Sequence, residues 1–308
     1  MSRVRLAGDG VEKRFGRVTA LAGIDFVIEP GESVAILGAN GAGKSTWLRI
    51  LAGLAKPSGG RFVAERVPGP AAATVAGSPS ASSTPPTPRP PSAAPGAPLA
   101  REALRGRVGY VGHATLLSGE LTARENVVFA ARLHGLRPTR AEQDALFAEL
   151  GLEEFADRRV ASMSRGTAQR VSIARGVVHA PDVLLLDEPF TGLDERSATR
   201  LSGQLAQLRQ RGCSLVVVTH DPQRAVELAD RALLLHRGRL RATPRRQDGD
   251  AFSVEALRRA LSGLADEDRR TTARHEVAGG DGRGDGGPDD PHGGRSVTAR
   301  DVDTRAGV

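Results

Sequence analysis

The stretch "GANGAGKST", residues 38–46, decides the fold of this 308-residue chain. It matches the pattern G-x-x-x-x-G-K-[ST], follows the apolar run "SVAIL" and opens the helical pattern "KSTWLRILAG". Glycines in such a loop let backbone N–H groups surround phosphates, and the start of the next helix adds partial positive charge. The pattern therefore predicts a nucleotide phosphate site formed by Gly38, Ala39, Asn40, Gly41, Ala42, Gly43, Lys44, Ser45 and Thr46.

Two side chains of this loop have predicted chemical roles. Lys44 reaches the β and γ phosphates, and the Ser45 hydroxyl ligates Mg²⁺. The chain has only three lysines, Lys13, Lys44 and Lys56, and otherwise uses arginine. A lysine at this one position is therefore poorly explained by composition, although a glycine-rich turn before a helix is the structural alternative.

A second motif, "VLLLDEP" at residues 183–189, reads as a buried strand that ends in two carboxylates. Asp187 is expected to hold Mg²⁺ through water, and Glu188 to polarise the water that attacks the γ phosphate. A solvated turn is the alternative for a paired Asp-Glu. Together with the phosphate loop, the pair predicts an enzyme that hydrolyses ATP with Mg²⁺.

Short apolar runs alternate with helical patterns along the rest of the chain. Runs that are apolar throughout indicate strands buried on both faces, as in a largely parallel sheet covered by helices. A helical block at about residues 122–158 has no strand of its own, which suggests a helical lobe inserted in an α/β core. The runs that predict strands lie at residues 33–38, 107–111, 183–188, 214–220 and 231–236.

Composition predicts the domain boundaries. Residues 68–100 hold ten of the nineteen prolines and almost no large apolar side chain, so they are expected to form a disordered insertion. The nucleotide-binding domain then comprises residues 1–67 and 101–240, and a short extension with one helix covers 241–264. The glycine-rich and aspartate-rich residues 265–308 are expected to be a disordered tail.

Charge, cysteine content and hydropathy narrow the classes of protein. The formal net charge is +7, but aromatic residues make up only 3% and no aromatic-interleaved basic stripe is visible, so no nucleic-acid partner is expected. The single Cys213 excludes an internal disulfide. No apolar run approaches the roughly 20 residues that span a bilayer, and the start lacks a signal-peptide core. A cytoplasmic protein is expected, with any membrane role exerted through a partner.

The segment "SMSRGTAQRVSIARGVVHAPDVLLLDEPFTGLD", residues 162–194, resembles the nucleotide-binding subunits of ABC transporters. It is similar to that family's signature helix, Walker B strand and D-loop, in order and at family spacing. The resemblance implies a P-loop ABC-type ATPase core with an antiparallel β edge subdomain and an inserted helical lobe. Where the family signature reads LSGGQ, this chain has Met163 followed by the predicted signature residues Ser164, Arg165, Gly166 and Thr167.

The resemblance carries further positions and partners. It implies that Phe15 stacks on adenine, with an ordinary packed Phe as the alternative, that Asp194 belongs to the D-loop and that His220 hydrogen-bonds the γ phosphate. Ser164 and Gly166 would touch the ATP bound by a second copy. The family therefore implies a head-to-tail homodimer that drives an integral membrane permease from the cytoplasmic side of the inner membrane.

The stretch "RVGYVGHATLLSGELTARENVVF", residues 107–129, places His113 where the family normally has Gln. Imidazole offers no oxygen to Mg²⁺, so His113 is expected to act through water or to point elsewhere. "GH" before "ELTAREN" resembles the haem exporter ATPases of cytochrome c maturation. Other exporters (of drugs, lipids or polysaccharides), soluble ABC ATPases acting on nucleic acid, and a regulator that binds ATP without hydrolysis remain alternatives.

Overall fold

The structure is a computed structural model that describes residues 2–68 and 96–279. The chain divides into two compact units, residues 1–265 and 266–308. The fold below is that of the first unit. Of the second unit, the described part is helical.

The centre of the fold is a six-stranded sheet in the order β10-β9-β3-β8-β7-β6. Strands β9, β3, β8, β7 and β6 run parallel, and β10 pairs antiparallel with β9 at the edge. All four inner strands, β9, β3, β8 and β7, are buried along their whole length, as continuous apolar runs predict. The strands are β3 (Ser33–Leu37), β6 (Val108–Val111), β7 (Val183–Asp187), β8 (Ser214–Val218), β9 (Arg231–His236) and β10 (Arg239–Ala242).

A second, antiparallel sheet has the order β2-β1-β4-β5. It matches the antiparallel β subdomain that the family resemblance implies. Its strands are β1 (Ser2–Phe15), β2 (Val18–Ile28), β4 (Gly59–Pro68) and β5 (Ala97–Pro98).

Strand β5 corrects the predicted end of the proline-rich insertion. Residues 96–100 were expected to be disordered, yet Ala97 and Pro98 pair with Arg66 and Glu65 of β4. The N–H of Leu99 donates to the carbonyl of Ala64, and its side chain packs against the core. One apolar anchor therefore orders the end of a segment that is otherwise rich in proline and poor in large apolar side chains. The predicted disorder of residues 69–95 lies outside the described residues.

Eight α-helices lie in the described residues, and the helical pattern that follows the phosphate loop and the helical block at about 122–158 are both present among them. Their bounds are α1 (Lys44–Leu51), α2 (Arg101–Arg105), α3 (Ala123–Leu133), α4 (Arg140–Glu149), α5 (Arg165–Val177), α6 (Glu195–Gln210), α7 (Pro222–Leu228) and α8 (Val254–Gly279). The mixed sheets, the helical layers and the inserted lobe confirm the predicted α/β class of fold.

The inserted lobe contains α3 and α4, and both helices begin with the same device. Thr122 accepts a hydrogen bond from the N–H of Glu125, whose carboxylate accepts one from the N–H of Thr122. Thr139 and Glu142 form the same capping box at α4. Such boxes satisfy backbone donors that the first helical turn leaves free, so the sequence sets where both helices start.

Helix α8 crosses the predicted boundary between the C-terminal extension and the tail. The tail was expected to be disordered from residue 265, but α8 continues to Gly279. Residues 265–278 contain neither glycine nor proline and several good helix formers, so low hydrophobicity alone was the wrong criterion. Residues 280–308 of the predicted tail lie outside the described part of the chain.

Helix α5 covers the outer edge of β6. Arg175 Nη2 donates to the carbonyl of Tyr110 at 3.5 Å, and Nε2 of His179 lies 3.3 Å from the carbonyl of Val108. The imidazole of His179 stacks on that of His134, with ring centroids 3.8 Å apart. Two carbonyls that an edge strand would present to solvent are therefore covered by side chains.

Candidate functional site

A cavity of about 790 Å³ opens at the carboxyl ends of β3 and β7, beside the loop that follows β8. Ligands of open α/β sheets bind at this edge, where the strand order changes direction. The cavity brings together most of the site residues that the two sequence motifs predict. It is lined by Ala20, Gly38, Ala39, Asn40, Gly41, Ala42, Gly43, Lys44, Ser45, Thr46, His113, Asp187, Glu188, Thr191 and His220.

The floor of the cavity is the loop between β3 and α1. Gly43, the N-cap of α1, has φ +104, and a side chain there would collide with the carbonyl of Ala20. A side chain at Gly38 would collide with the carbonyl of Leu235 on β9. Glycine at these two positions lets the loop fold tightly against its neighbours, and the start of α1 then faces the cavity as an anion site.

Lys44 lies at the first position of α1, with 7% of its surface exposed. Its ammonium donates to the carbonyls of Gly38 at 2.7 Å and Ala39 at 2.9 Å. Burial lowers the pKa of Lys44, while the carboxylates of Glu188 and Asp187 act in the opposite direction. The charge is therefore held inside the loop, in the position predicted for a phosphate ligand.

The two predicted carboxylates follow each other at the end of β7. Asp187 is buried and pairs in register with Val218 of β8. Glu188 has φ +54, in the left-handed region that non-glycine residues rarely adopt, and its N–H donates to the carbonyl of Val218 at 3.0 Å. The backbone therefore turns sharply between the two, which is a strained arrangement typical of functional sites.

Glu188 belongs to a small hydrogen-bond network. Its Oε2 lies 2.9 Å from Nδ1 of His220 and accepts from the hydroxyl of Thr191 at 3.4 Å. His220 follows β8, so two neighbouring strands supply the pair. Sequence reasoning did not single out Thr191, because a Thr three residues after Glu188 carries no signal until the turn at residues 188–191 brings its hydroxyl back.

Ser45 and Asp187, the predicted Mg²⁺ ligands, line the same cavity. They offer a hydroxyl and a carboxylate, which are hard oxygen ligands of the kind Mg²⁺ prefers. The described residues contain no group of three or more His, Cys, Asp or Glu side chains placed to hold a metal ion. The donor set therefore fits an ion bound jointly by the protein, water and nucleotide phosphates rather than an all-protein cage.

Phe15 ends β1 and exposes 52% of its surface. The ammonium of Lys13 lies 5.1 Å from the centroid of its ring. Phe15 does not line the described cavity, but its exposure is unlike that of an ordinary packed Phe. Its predicted stacking on adenine stays a prediction.

The predicted signature residues lie at the start of α5. Ser164 is the N-cap, and its hydroxyl accepts from the N–H of Thr167 at 3.2 Å. Asp194 similarly caps α6, because its carboxylate accepts from the N–H of Ser197 at 2.8 Å. Hydrogen bonds from Ser197 lower the pKa of Asp194. None of the signature residues is among the residues that line the cavity of this single chain.

His113 is exposed and lines the cavity together with Glu188 and His220. The loop that carries it towards α3 is fixed by Asn126, which is 5% exposed. The side chain of Asn126 accepts from the N–H of Ser118 at 2.9 Å and donates to the carbonyls of Ser118 and Thr122. The buried amide thus joins the cavity loop to the first turn of the helical lobe.

The fold and this cavity define a P-loop ATPase. A family model described as "ABC transporter" matches residues 21–191, which is more than half of the chain. The chain belongs to the ABC transporter family and is an ATP-binding subunit with ATPase activity.

Curated relatives include both exporters and importers. Nod factor export ATP-binding protein I of Paraburkholderia xenovorans is 33% identical over 241 residues, covering 78% of this chain and 70% of the relative. Macrolide export ATP-binding/permease protein MacB 1 of Aeromonas hydrophila is 37% identical, covering 75% of this chain but 34% of the relative. Spermidine/putrescine import protein PotA of Trichodesmium erythraeum is 34% identical, covering 75% and 54%.

Solved structures share the fold. The ATP-binding cassette MJ0796, in a dimeric post-hydrolysis state bound to ADP and Pi, has a TM-score of 0.61 and 26% identity, covering 78% of this chain and 98% of that one. CbiO1 from Clostridium perfringens, part of the complex cbiONQ, has a TM-score of 0.64 and 24% identity, covering 83% and 93%. Within the described ranges 2–68 and 96–279, no helix is long and apolar enough to cross a membrane.

Proposed function

We propose that two copies of this chain bind ATP head to tail and hydrolyse it to drive a separate membrane permease. The observation that carries the proposal is the separation of the site into two parts. Lys44, Asp187 and Glu188 line one cavity, whereas Ser164 and Gly166 lie outside it at the start of α5. A helix start with a Ser cap is suited to an anion, and a second copy would supply that anion as the γ phosphate of its ATP.

Within each half of the dimer, the residues divide the chemistry. Backbone N–H groups of residues 38–46 and the ammonium of Lys44 hold the phosphates. Ser45 and Asp187 would hold Mg²⁺, which neutralises phosphate charge when bound. Glu188 orients and polarises the attacking water, and His220 binds the γ phosphate while its Nδ1 stays near Glu188 Oε2.

The dimer predicts the behaviour of a Glu188→Gln variant. Without the carboxylate, hydrolysis is expected to fall by about 100-fold or more, because general-base catalysis contributes 10²–10⁴-fold. ATP binding survives, so the variant is expected to dimerise when ATP is added, as measured by light scattering. Lys44→Ala in the same background is the control, since it removes a phosphate ligand and should stay monomeric. A Glu188→Gln protein that remains monomeric at saturating ATP contradicts the composite site.

Docking to a permease is supported by an apolar patch on the helical lobe. Phe129 exposes 59% of its surface and Leu133 exposes 73%, one turn apart on α3, and Leu136 follows beyond the helix. Clusters of large exposed apolar side chains mark interaction sites in otherwise polar surfaces. The partner proposed for this patch is a helical segment of the permease at the cytoplasmic side of the inner membrane.

For the transported substrate, the proposal is haem destined for cytochrome c. The sequence resemblance behind this proposal includes "ELTAREN", but that motif is accounted for by the fold. Thr122, Glu125 and Asn126 cap α3 and fix the loop before it, so the motif does not indicate the substrate. The support that remains is the Gly112-His113 pair, with His113 lining the cavity. Export of another molecule is the alternative, favoured by the two export proteins among the relatives.

Haem export is tested by deleting the gene in its host. Loss of covalently bound c-type haem is expected, while membrane b-type haem remains. The wild-type gene should restore c-type haem, and the Glu188→Gln gene should not. Normal c-type cytochromes in the deletion strain would transfer the assignment to another exported molecule.

A further inference from the structure

Arg165, the first residue of α5, lies flat against the turn that contains Gly192. A side-chain carbon built on Gly192 would lie 2.7 Å from both Cζ and Nη1 of Arg165 and 2.9 Å from its Nε. Three atoms of one planar group at nearly equal distance mean that the guanidinium stacks on the α-carbon of Gly192. The contact needs glycine for space, and Gly192 also has φ +74.

No ion pair explains the position of Arg165. Arg140 also begins a helix, α4, and pairs with Asp144 at 3.4 Å and Asp157 at 3.0 Å. Arg165 pairs with no carboxylate in the described residues, and the first turn of α5 has no acidic residue. A cation at a helix start opposes the helix dipole, so this arginine is not there to stabilise its own helix.

The turn beneath Arg165 leads to Glu188. Gly192 follows Thr191, whose hydroxyl donates to Glu188 Oε2 at 3.4 Å and whose N–H donates to the carbonyl of Glu188 at 3.2 Å. Gly166, next to Arg165, approaches the residue that follows Gly192, since a side-chain carbon there would lie 3.5 Å from Cδ2 of Leu193. Two contacts therefore join the signature segment to the turn that holds Glu188.

We propose that Arg165 is a positioning residue that couples the two ATP sites of the dimer. This inference rests on the proposed dimer, in which Ser164 and Gly166 touch one ATP while Glu188 of the same chain acts on the other. Closure of the signature on the partner's ATP presses Arg165 on Gly192, and the turn then sets Thr191 and Glu188. ATP bound at one site of the dimer thus changes the position of the Glu188 carboxylate at the second site.

The main test is Arg165→Lys, which keeps the charge but removes the flat group that stacks. Wild-type hydrolysis is expected to show a Hill coefficient between 1 and about 2, the number of sites. The variant is expected to lose this cooperativity. Its kcat should fall about tenfold, which lies within the roughly 2–30-fold effect of coupling residues, and its KM should change by less than about twofold. Arg140→Lys, at the same position of α4, is the matched control and should retain wild-type kinetics.

A double-mutant cycle isolates the contact itself. Gly192→Ala places a methyl group where the guanidinium lies, and Arg165→Gly vacates that space. Alanine at residue 192 is strained by the left-handed backbone whether residue 165 is Arg or Gly. The effect of this strain on kcat is therefore the same in both backgrounds and cancels in the double-mutant cycle. Gly192→Ala is therefore expected to reduce kcat at least about threefold more in the wild-type background than in the Arg165→Gly background.

Two results would overturn the inference. Unchanged cooperativity in Arg165→Lys, with or without a lower melting temperature, reduces Arg165 to a structural role. Hyperbolic kinetics in the wild type removes the coupling altogether. The dimer is tested separately, because Glu188→Gln with Arg165→Lys should still dimerise with ATP by light scattering. Failure of Glu188→Gln alone to dimerise refutes the proposed function, whereas dimerisation without any Arg165 effect refutes only the coupling.

Discussion

At the scale of single residues, the cavity contains both predictable and unpredictable features. Lys44 and Glu188 could be placed from the sequence, because each follows a strand-end motif whose spacing fixes its position relative to the sheet. Thr191 and the contact of Arg165 with Gly192 could not, because they depend on a turn and a helix start that meet only in three dimensions. The left-handed backbone of Glu188 was also invisible, since nothing in "DEP" specifies the φ angle of its second residue.

That backbone angle leads to a stability prediction. Glu188→Gly is expected to be more stable to unfolding than Glu188→Ala by about 1 kcal/mol, because glycine avoids roughly 1–2 kcal/mol of left-handed strain and loses about 0.4–1 kcal/mol to chain entropy. Both variants lose the same hydrogen bonds to His220 and Thr191, so the difference reports the backbone. Urea denaturation measures it.

The control for this comparison is Arg200, exposed in the interior of α6. The Arg200→Ala variant should be more stable to unfolding than Arg200→Gly by about 1 kcal/mol, because alanine is favoured over glycine in a helix interior. The same order of Ala and Gly at both positions would show that Glu188 is not strained.

At the scale of elements, the contact between the end of α5 and β6 includes the half-buried His179. Burial lowers the pKa of His179 to about 4, and the neighbouring His134 ring adds to the shift. The folded state therefore resists protonation that the unfolded chain accepts near pH 6.5. Stability is expected to fall as the pH drops from about 6.5 to about 4 and to lose nothing more from this group below that range.

The measurement is the denaturation midpoint of wild type and His179→Gln between pH 7 and pH 4. Gln does not titrate, so the part of the acid loss that is due to His179 should disappear. His134→Gln should reduce the loss of stability at acid pH by less than His179→Gln does, because burial is a larger cause of the lowered pKa of His179 than the neighbouring His134 ring. Parallel pH curves for wild type and His179→Gln would contradict this account.

At the scale of the whole molecule, the composition-based prediction succeeded for the class of fold and failed at two edges. The alternation of apolar runs predicted the five parallel strands of the large sheet but not the antiparallel edge strand β10, because buried parallel strands need continuous apolar sequence and an exposed edge strand does not. The sequence patterns missed β5, because a judgement based on average polarity overlooks one anchored leucine. They also placed the end of α8 too early, because the same judgement overlooks residues that favour a helix without being strongly apolar. Boundaries of this kind depend on local contacts rather than on average composition.

The β4–β5 pairing makes the insertion removable. Arg66 and Ala97 lie opposite each other, so a short turn can join the strands in place of residues 67–96. Shortening this connection from about 30 to about 4 residues is expected to stabilise the fold by roughly 1–2 kcal/mol, from about 0.6 kcal/mol of loop-closure entropy for each halving. ATPase activity should be unchanged, because no residue of β4 or β5 lines the cavity. Lost activity in the shortened protein would assign the insertion a role in catalysis.

The covered edge of β6 has a consequence for how concentrated solutions of this protein behave. Open strand edges recruit strands of other molecules and begin aggregation. At one edge of the large sheet, Arg175 and His179 occupy the carbonyls that such pairing would use. At the other, β10 presents the exposed arginines Arg239 and Arg241, whose like charges repel a second copy. The same sheet that builds the nucleotide cavity is thereby kept from forming intermolecular β-structure.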